Sequence, residues 1–349
     1  MNHHLLPFPY NQSQPLTWWE RVLQPPLLSF IGGPIYSTPQ KPSTSPIPTQ
    51  PRSSGWGDSR LPPIRVICIS DTHNATPPLP PGDILIHAGD LSARGTFDEV
   101  QAQLRWLAAQ PHPHKIVIAG NHDLLLDEAS DGKFPARGEL NSEAKRKDLD
   151  WGGIWYLQDE AVTLEVQTEL QLRVPGPGEP QLATRRVKIY GSSLTPEFGH
   201  WAFQYPAIRD VWTGKVPDDT DILVVHAPPA LYGDCDGEGE RSGDVEVKGD
   251  GYLLREIRRI QPKMVVCGHI HGAFGAAVIQ HDGIQDVMDG LQMRWGGYDL
   301  VGALKGVVRR KVTTPRDIDR PKETLVLNAA VAPGALESVG KSAIAVDLL

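Results

Sequence analysis

The stretch KIVIAGNHDLLL, Lys115 to Leu126, decides how the chain is read. Ile116, Val117, Ile118 and Ala119 form a continuous apolar run, as expected of a strand buried on both faces. The run breaks at Gly120 and presents Asn121, His122 and Asp123 before turning apolar again at Leu124. A plain turn would account for Gly and Asn, which tolerate the left-handed region. It would not account for an imidazole and a carboxylate beside them.

The same design recurs along the chain. Val66–Ser70 is followed by Asp71, Thr72 and His73; Ile84–Ala88 by Gly89 and Asp90; Ile222–Val225 by His226; Met264–Cys267 by Gly268, His269, Ile270 and His271. Val187–Tyr190 is a further strand-like run, and helix-like stretches cover Phe97–Gln110 and Gly251–Ile260. Apolar strands alternating with helices predict an α/β architecture with covered sheets. In such sheets ligands bind in the crevice outside the carboxyl ends of the strands, so these polar groups would meet at one edge. Each fragment alone is weak: Asp-x-His is common, Gly-Asp makes turns, and a lone His226 is more often a strand-end histidine than a ligand. Together they consist almost wholly of metal-binding side chains. His87, inside a strand run, reads as core or as support beneath the ligands.

Carboxylate, amide oxygen and imidazole donors without thiolate favour Mn²⁺, Fe²⁺, Zn²⁺ or Ni²⁺ and disfavour Cu(I) or a structural thiolate zinc. The donors exceed what one ion needs. Two divalent metal ions about 3.5–4 Å apart would use them all if one carboxylate bridged, and Asp90 is the candidate.

Composition sets the outer bounds. The 349 residues carry a net charge of −8 and a pI near 5.8, which argues against a general nucleic-acid binder. The three cysteines, Cys68, Cys235 and Cys267, are too scattered for a disulfide framework and fit a reducing interior. No apolar run reaches spanning length and no secretory pattern opens the chain, so a cytoplasmic location is expected. Residues 1–63 read as a tail and linker: Ser37–Pro63 is Ser-, Thr-, Pro- and Gln-rich and cannot bury a core. Before it, residues 15–36 hold Trp18, Trp19, Leu23, Leu27, Leu28, Phe30 and Ile31 around Pro25 and Pro26. That segment suits docking on its own domain, a protein contact or peripheral membrane association. Residues 64–349 read as one catalytic domain, with long loops at 234–251 and 281–320.

The ordered fragments SDTH, AGD, AGNHD, VVHAPP and CGHIHG resemble the motifs of the calcineurin-like metallophosphoesterases. IWYLQD, GSSLTPEFGHWAFQYP, LLREIRRIQPKMVVCGHIHGAFG and VLNAA further resemble the metallophosphoesterase-domain-containing branch, so that the likeness runs from about Ile64 to Leu349. The resemblance implies a four-layer α/β/β/α sandwich. It implies that Asp71, His73, Asp90 and His271 hold one ion, and that Asp90, Asn121, His226 and His269 hold the other. It further implies a metal-activated hydroxide as nucleophile, with His122 stabilising phosphate charge and protonating the leaving oxygen, and Asp123 orienting His122. Arg94, His200 and Asn328 are candidate substrate contacts, with Trp201 beside them as a pocket-lining residue.

The expected function is hydrolysis of small phosphodiesters, cyclic nucleotides among them. A phosphomonoesterase or protein Ser/Thr phosphatase is an alternative prompted by GDLSARG, although Ala93 and Ala119 depart from that group's pattern. A slow-turnover regulatory or scaffold protein retaining the metal site is another. A nucleic-acid polymer is not expected as substrate, since no basic groove is evident.

Overall fold

The computed structural model describes residues 62–128, 144–169, 182–235, 247–281, 323–333 and 340–348, with residues 285 and 289 in addition. The tail, the aromatic segment 15–36 and most of the loops at 234–251 and 281–320 lie outside the described residues. Two compact units divide the chain: residues 42–278 with 324–349, and residues 1–41 with 279–323. The first contains the strand-end motifs.

In this unit β1 (Ile64–Ile69), β2 (Ile84–Ala88), β3 (His114–Ile118) and β4 (Trp155–Tyr156) run parallel, and β13 (Ile344–Leu348) pairs antiparallel with β1. The first sheet therefore has the order β13-β1-β2-β3-β4. The second sheet has the order β11-β12-β10-β9-β6-β5, made of β5 (Glu160–Glu169), β6 (Leu182–Ser192), β9 (Ile222–Val225), β10 (Met264–Cys267), β11 (Gly275–Gln280) and β12 (Glu323–Asn328). Of these, β6, β9, β10 and β12 are parallel. β7 (Thr195–Pro196) and β8 (Gln204–Tyr205) form a separate parallel pair.

Alternation within the strands explains the layering, because successive side chains point to opposite faces. Val66, Cys68, Ile84, Ile86, Ile116 and Ile118 of the first sheet pack in one core with Val187, Ile189, Ile222, Val224, Met264 and Val266 of the second. The intervening Ile67, Ile69, Leu85 and Val117 face outward into a second core with Val100, Leu104 and Leu107 of helix α1 (Phe97–Ala108). Helix α2 (Gly251–Ile260) buries Leu253, Leu254, Ile257 and Ile260, while Leu223, Val225 and Val265 on the outer face of the second sheet are also sealed from solvent. The layers run α/β/β/α, as the family resemblance implies. Where both faces are covered, β9 and β10 are wholly apolar and β2 is apolar apart from His87, and polar residues collect where the strands end.

Caps fix the helices. Thr96 and Glu99 form a reciprocal capping box at the start of α1, a feature that stabilises a helix by about 1 kcal/mol. Asp250 caps α2 by accepting the Tyr252 and Leu253 amides at 2.7 and 3.2 Å. The same carboxylate accepts bonds from the Tyr205 hydroxyl and the Trp212 indole, joining α2 to the segment around β8.

Candidate metal centre

The strands β1, β2, β3, β9 and β10 end side by side, and their terminal residues converge. Asp71 accepts the His269 backbone N–H through both oxygens, at 3.1 and 3.0 Å, and its Oδ1 lies 3.2 Å from His271 Nε2. His271 Nε2 faces His73 Nε2 at 3.3 Å. Asp90 reaches both sides of the cluster: Oδ2 lies 3.7 Å from His73 Nε2, and Oδ1 lies 3.4 Å from His226 Nε2. Asn121 Oδ1 lies 3.0 Å from the same His226 nitrogen. The His269 ring stands edge-on to His226 with centroids 5.1 Å apart. Asp71, His73 and His271 form one group able to hold a cation, and Asp71, Asp90 and His226 form another.

Backbone geometry contributes as much as residue type. Asp71, Asp90 and His269 have φ of 55°, 54° and 66°, and His73 has 43°, all in the left-handed region. Each such conformation is costly for a side chain with a Cβ and persists only where the surroundings enforce it, as functional sites do. Gly120 and Gly268 permit the close approach. A Cβ on Gly120 would overlap Asp90 Oδ1, and one on Gly268 would overlap Asp71 Oδ2 and Ser70 Oγ.

Charge placement fits divalent cations. Asp71 and Asp90 are buried, which would raise their pKa, yet the surrounding imidazoles pull both carboxyls below their ordinary value. Burial disfavours charge on His226, but the Asp90 carboxylate, with Asp71 and the Ala88 carbonyl, raises it to about 9. His226 Nδ1 donates to that carbonyl at 2.9 Å, which directs Nε2 at the cluster. His269 is pushed down to about 4, by burial first and His226 second, and so offers a neutral imidazole, the form that ligates metals. Two buried carboxylates, an amide oxygen and facing imidazole nitrogens make a donor set that a divalent cation satisfies better than hydrogen bonds do.

His122 sits at the rim, partly exposed. Its Nδ1–H donates to the Ala93 carbonyl at 2.8 Å, its backbone N–H donates to Asp90 Oδ1 at 2.8 Å, and its ring stacks on Trp201 with centroids 4.0 Å apart. The expectation that Asp123 orients His122 is corrected. Asp123 is fully buried and accepts from Leu91 N, Ser92 N, Ser92 Oγ and Gly120 N at 3.2, 2.9, 2.7 and 2.9 Å. Neighbouring residues of this turn point to opposite sides, so Asp123 fastens the loop after β2 to the loop after β3 while a backbone carbonyl holds the imidazole.

The three expected substrate contacts have different fates. Arg94 and His200 are exposed, each one residue from a group that touches His122, namely Ala93 and Trp201. Asn328 is sealed from solvent, which corrects its reading as a substrate contact. Its amide donates to the carbonyls of Gly233, Gly268 and Ile270 at 2.9, 3.3 and 3.0 Å, and its Oδ1 accepts the Ala330 N–H. It braces the loop that carries His269 and His271. His87 lies beneath the site, with Nε2 3.0 Å from Thr72 Oγ1, and burial pushes it down to about 3. Lys341, passed over in the sequence, donates from Nζ to the His271 carbonyl at 2.6 Å. Nothing near it in sequence resembles a motif, so only the fold reveals it.

The chain belongs to the calcineurin-like phosphoesterase family, whose model matches residues 64–273. It is 32% identical over 250 residues to metallophosphoesterase domain-containing protein 1 of human and of mouse, covering 69% of this chain and 68% of theirs. It is also 34% identical over 292 residues to a protein of Emericella nidulans named probable rhamnogalacturonate lyase C, covering 82% of this chain but only 24% of that one. Among solved structures, one from Thermus thermophilus aligns over 62% of this chain and 84% of its own, at 13% identity and a TM-score of 0.33.

Proposed function

We propose that this chain hydrolyses phosphodiester bonds of small substrates, cyclic nucleotides among them, with two divalent cations held by Asp71, His73, Asp90, Asn121, His226, His269 and His271. The observation that carries the reading is Asp90, whose two oxygens face imidazoles from opposite halves of the cluster. The cations would supply Lewis acidity toward phosphoryl oxygens and acidify water enough for attack near neutral pH. Mn²⁺ suits these mixed oxygen and nitrogen donors.

The chain's own groups do the rest. Asp90 and Asp71 supply negative charge in a water-poor crevice, and Asn328 keeps the His269–His271 loop in place. The Ala93 carbonyl accepts the His122 Nδ1–H, so Nε2 is the atom that can hold the proton for the leaving oxygen. A phosphodiester carries a single negative charge, which suits a chain of net charge −8.

The test compares the Mn²⁺-loaded protein on bis(p-nitrophenyl) phosphate and on p-nitrophenyl phosphate, with Asn121→Ala as control. Diester turnover that exceeds monoester turnover and disappears in the variant supports the proposal. Preference for the monoester, or no turnover by protein containing two metals per chain, rejects it.

A further inference from the structure

We propose that Trp201 is the positioning residue of the proton donor, holding the His122 imidazole in the plane from which Nε2 meets the leaving oxygen. The inference rests on the diesterase reading above.

Among the described residues the Ala93 carbonyl is the hydrogen-bond partner of the His122 ring, and this bond at Nδ1 leaves the ring plane able to tilt. The indole of Trp201 lies 4.0 Å from the imidazole at an interplanar angle of 28°, closing one face, while His73 stands edge-on at 4.8 Å. Together these contacts remove the tilt.

Trp201 sits in a loop whose next two residues bond to either side of the His122 turn. Its backbone N–H donates to Gln204 Oε1 at 3.0 Å. The next residue, Ala202, donates to the carbonyl of Asn121, immediately before His122, at 3.1 Å. Phe203 donates to Asp127 Oδ2, beyond the other end of the turn, at 2.9 Å. The β7–β8 pair closes this loop at its base, and Tyr205 anchors it on Asp250. Phe198 and His200 stay exposed while Trp201 turns inward, so the loop presents one ring to the site, and that ring meets the proton donor.

In the reaction the water oxygen bonds to phosphorus as the bond from phosphorus to the leaving oxygen breaks. The bonding pair stays on the leaving oxygen, which takes the His122 Nε2 proton. The proton lost by the water enters solvent, from which Nε2 is reprotonated. A strongly basic leaving oxygen depends on that proton, whereas p-nitrophenolate departs with little help. An imidazole displaced by a fraction of an ångström therefore penalises poor leaving groups selectively.

The experiment uses the full Mn²⁺-loaded chain with Trp201→Leu, Trp201→Phe, His122→Ala and the double variant His122→Ala/Trp201→Leu. Substrates are bis(p-nitrophenyl) phosphate and diphenyl phosphate. Trp201→Leu is expected to lower kcat roughly 30-fold on diphenyl phosphate and less than about threefold on the nitrophenyl diester, with KM and metal content nearly constant. Trp201→Phe restores most of the ratio, and the double variant is no slower than His122→Ala alone. In parallel, on the same chains loaded with diamagnetic Zn²⁺ in place of Mn²⁺, the histidine Cε1–H resonance missing from His122→Ala moves downfield in Trp201→Leu as the indole ring current is lost. Equal losses on both diesters, an additive double variant or an unmoved resonance overturns the proposal. A wild-type protein inactive on both diesters rejects the diesterase reading instead, and the resonance alone then decides whether Trp201 holds His122.

Discussion

Asp90 Oδ1 lies 3.4 Å from His226 Nε2, and both side chains are closed to solvent. A buried acid and imidazole brought together from two different sheets hold the halves of the site in register. They also make Asp90 the least replaceable member of the cluster. Asp90→Asn keeps the shape and removes the charge. The expected result is loss of bound metal by elemental analysis and a fall in diester turnover of at least about 100-fold, since even groups that only support a ligand cost 10- to 100-fold.

Asn328 makes the same point at one remove. Replacing it with alanine frees the Gly268 and Ile270 carbonyls and leaves the ligand loop without its brace. Metal affinity, measured by titration against a chelator, should fall about 10- to 100-fold while KM moves little.

Gly268→Ala tests whether the close approach at the end of β10 is obligatory. The added methyl would meet Asp71 Oδ2 and the Ser70 hydroxyl, both fully buried, so neither can swing away into solvent. Overpacking of this kind costs about 1–3 kcal/mol, which a thermal melt resolves, and metal content should drop with it.

Glu256 gives a pH signature away from the site. It is buried in α2, accepts the Gly214 and Val216 amides at 3.1 and 2.9 Å, and pairs with Arg259. Burial alone would raise its pKa, but the Arg259 guanidinium and the two amides outweigh that and hold the carboxyl below its ordinary 4.5. Because the folded value is the lower one, the contribution is full above pH 4.5 and disappears as pH falls through the folded value. Glu256→Gln should cost about 2 kcal/mol at pH 7 by urea titration, with the difference from wild type shrinking in acid.

The strands and the ligand types were legible in the sequence because both obey local rules. Buried parallel strands are apolar runs, and KIVIAGNHD shows where one stops. The pairing of β13 with β1 was not legible, since nothing near Ile344–Leu348 names its partner. Nor was the holder of His122. A backbone carbonyl at Ala93 and an aromatic face at Trp201 leave no residue-type signal, whereas the carboxylate of Asp123 next door in sequence invites the wrong pairing. The left-handed backbone at Asp71, His73, Asp90 and His269 was equally hidden, because it is imposed by packing around non-glycine residues.

The place of β13 also sets an order of events during synthesis. Ile64 pairs with Leu348, so the strand that leads into Asp71 emerges from the ribosome long before its outer neighbour exists. Until then one side of β1 is an open edge of unpaired amides and carbonyls carrying an apolar sequence, the kind of surface that recruits other nascent strands. That edge closes only once Ile344–Leu348 has been translated, and a product stalled before it would present the edge permanently.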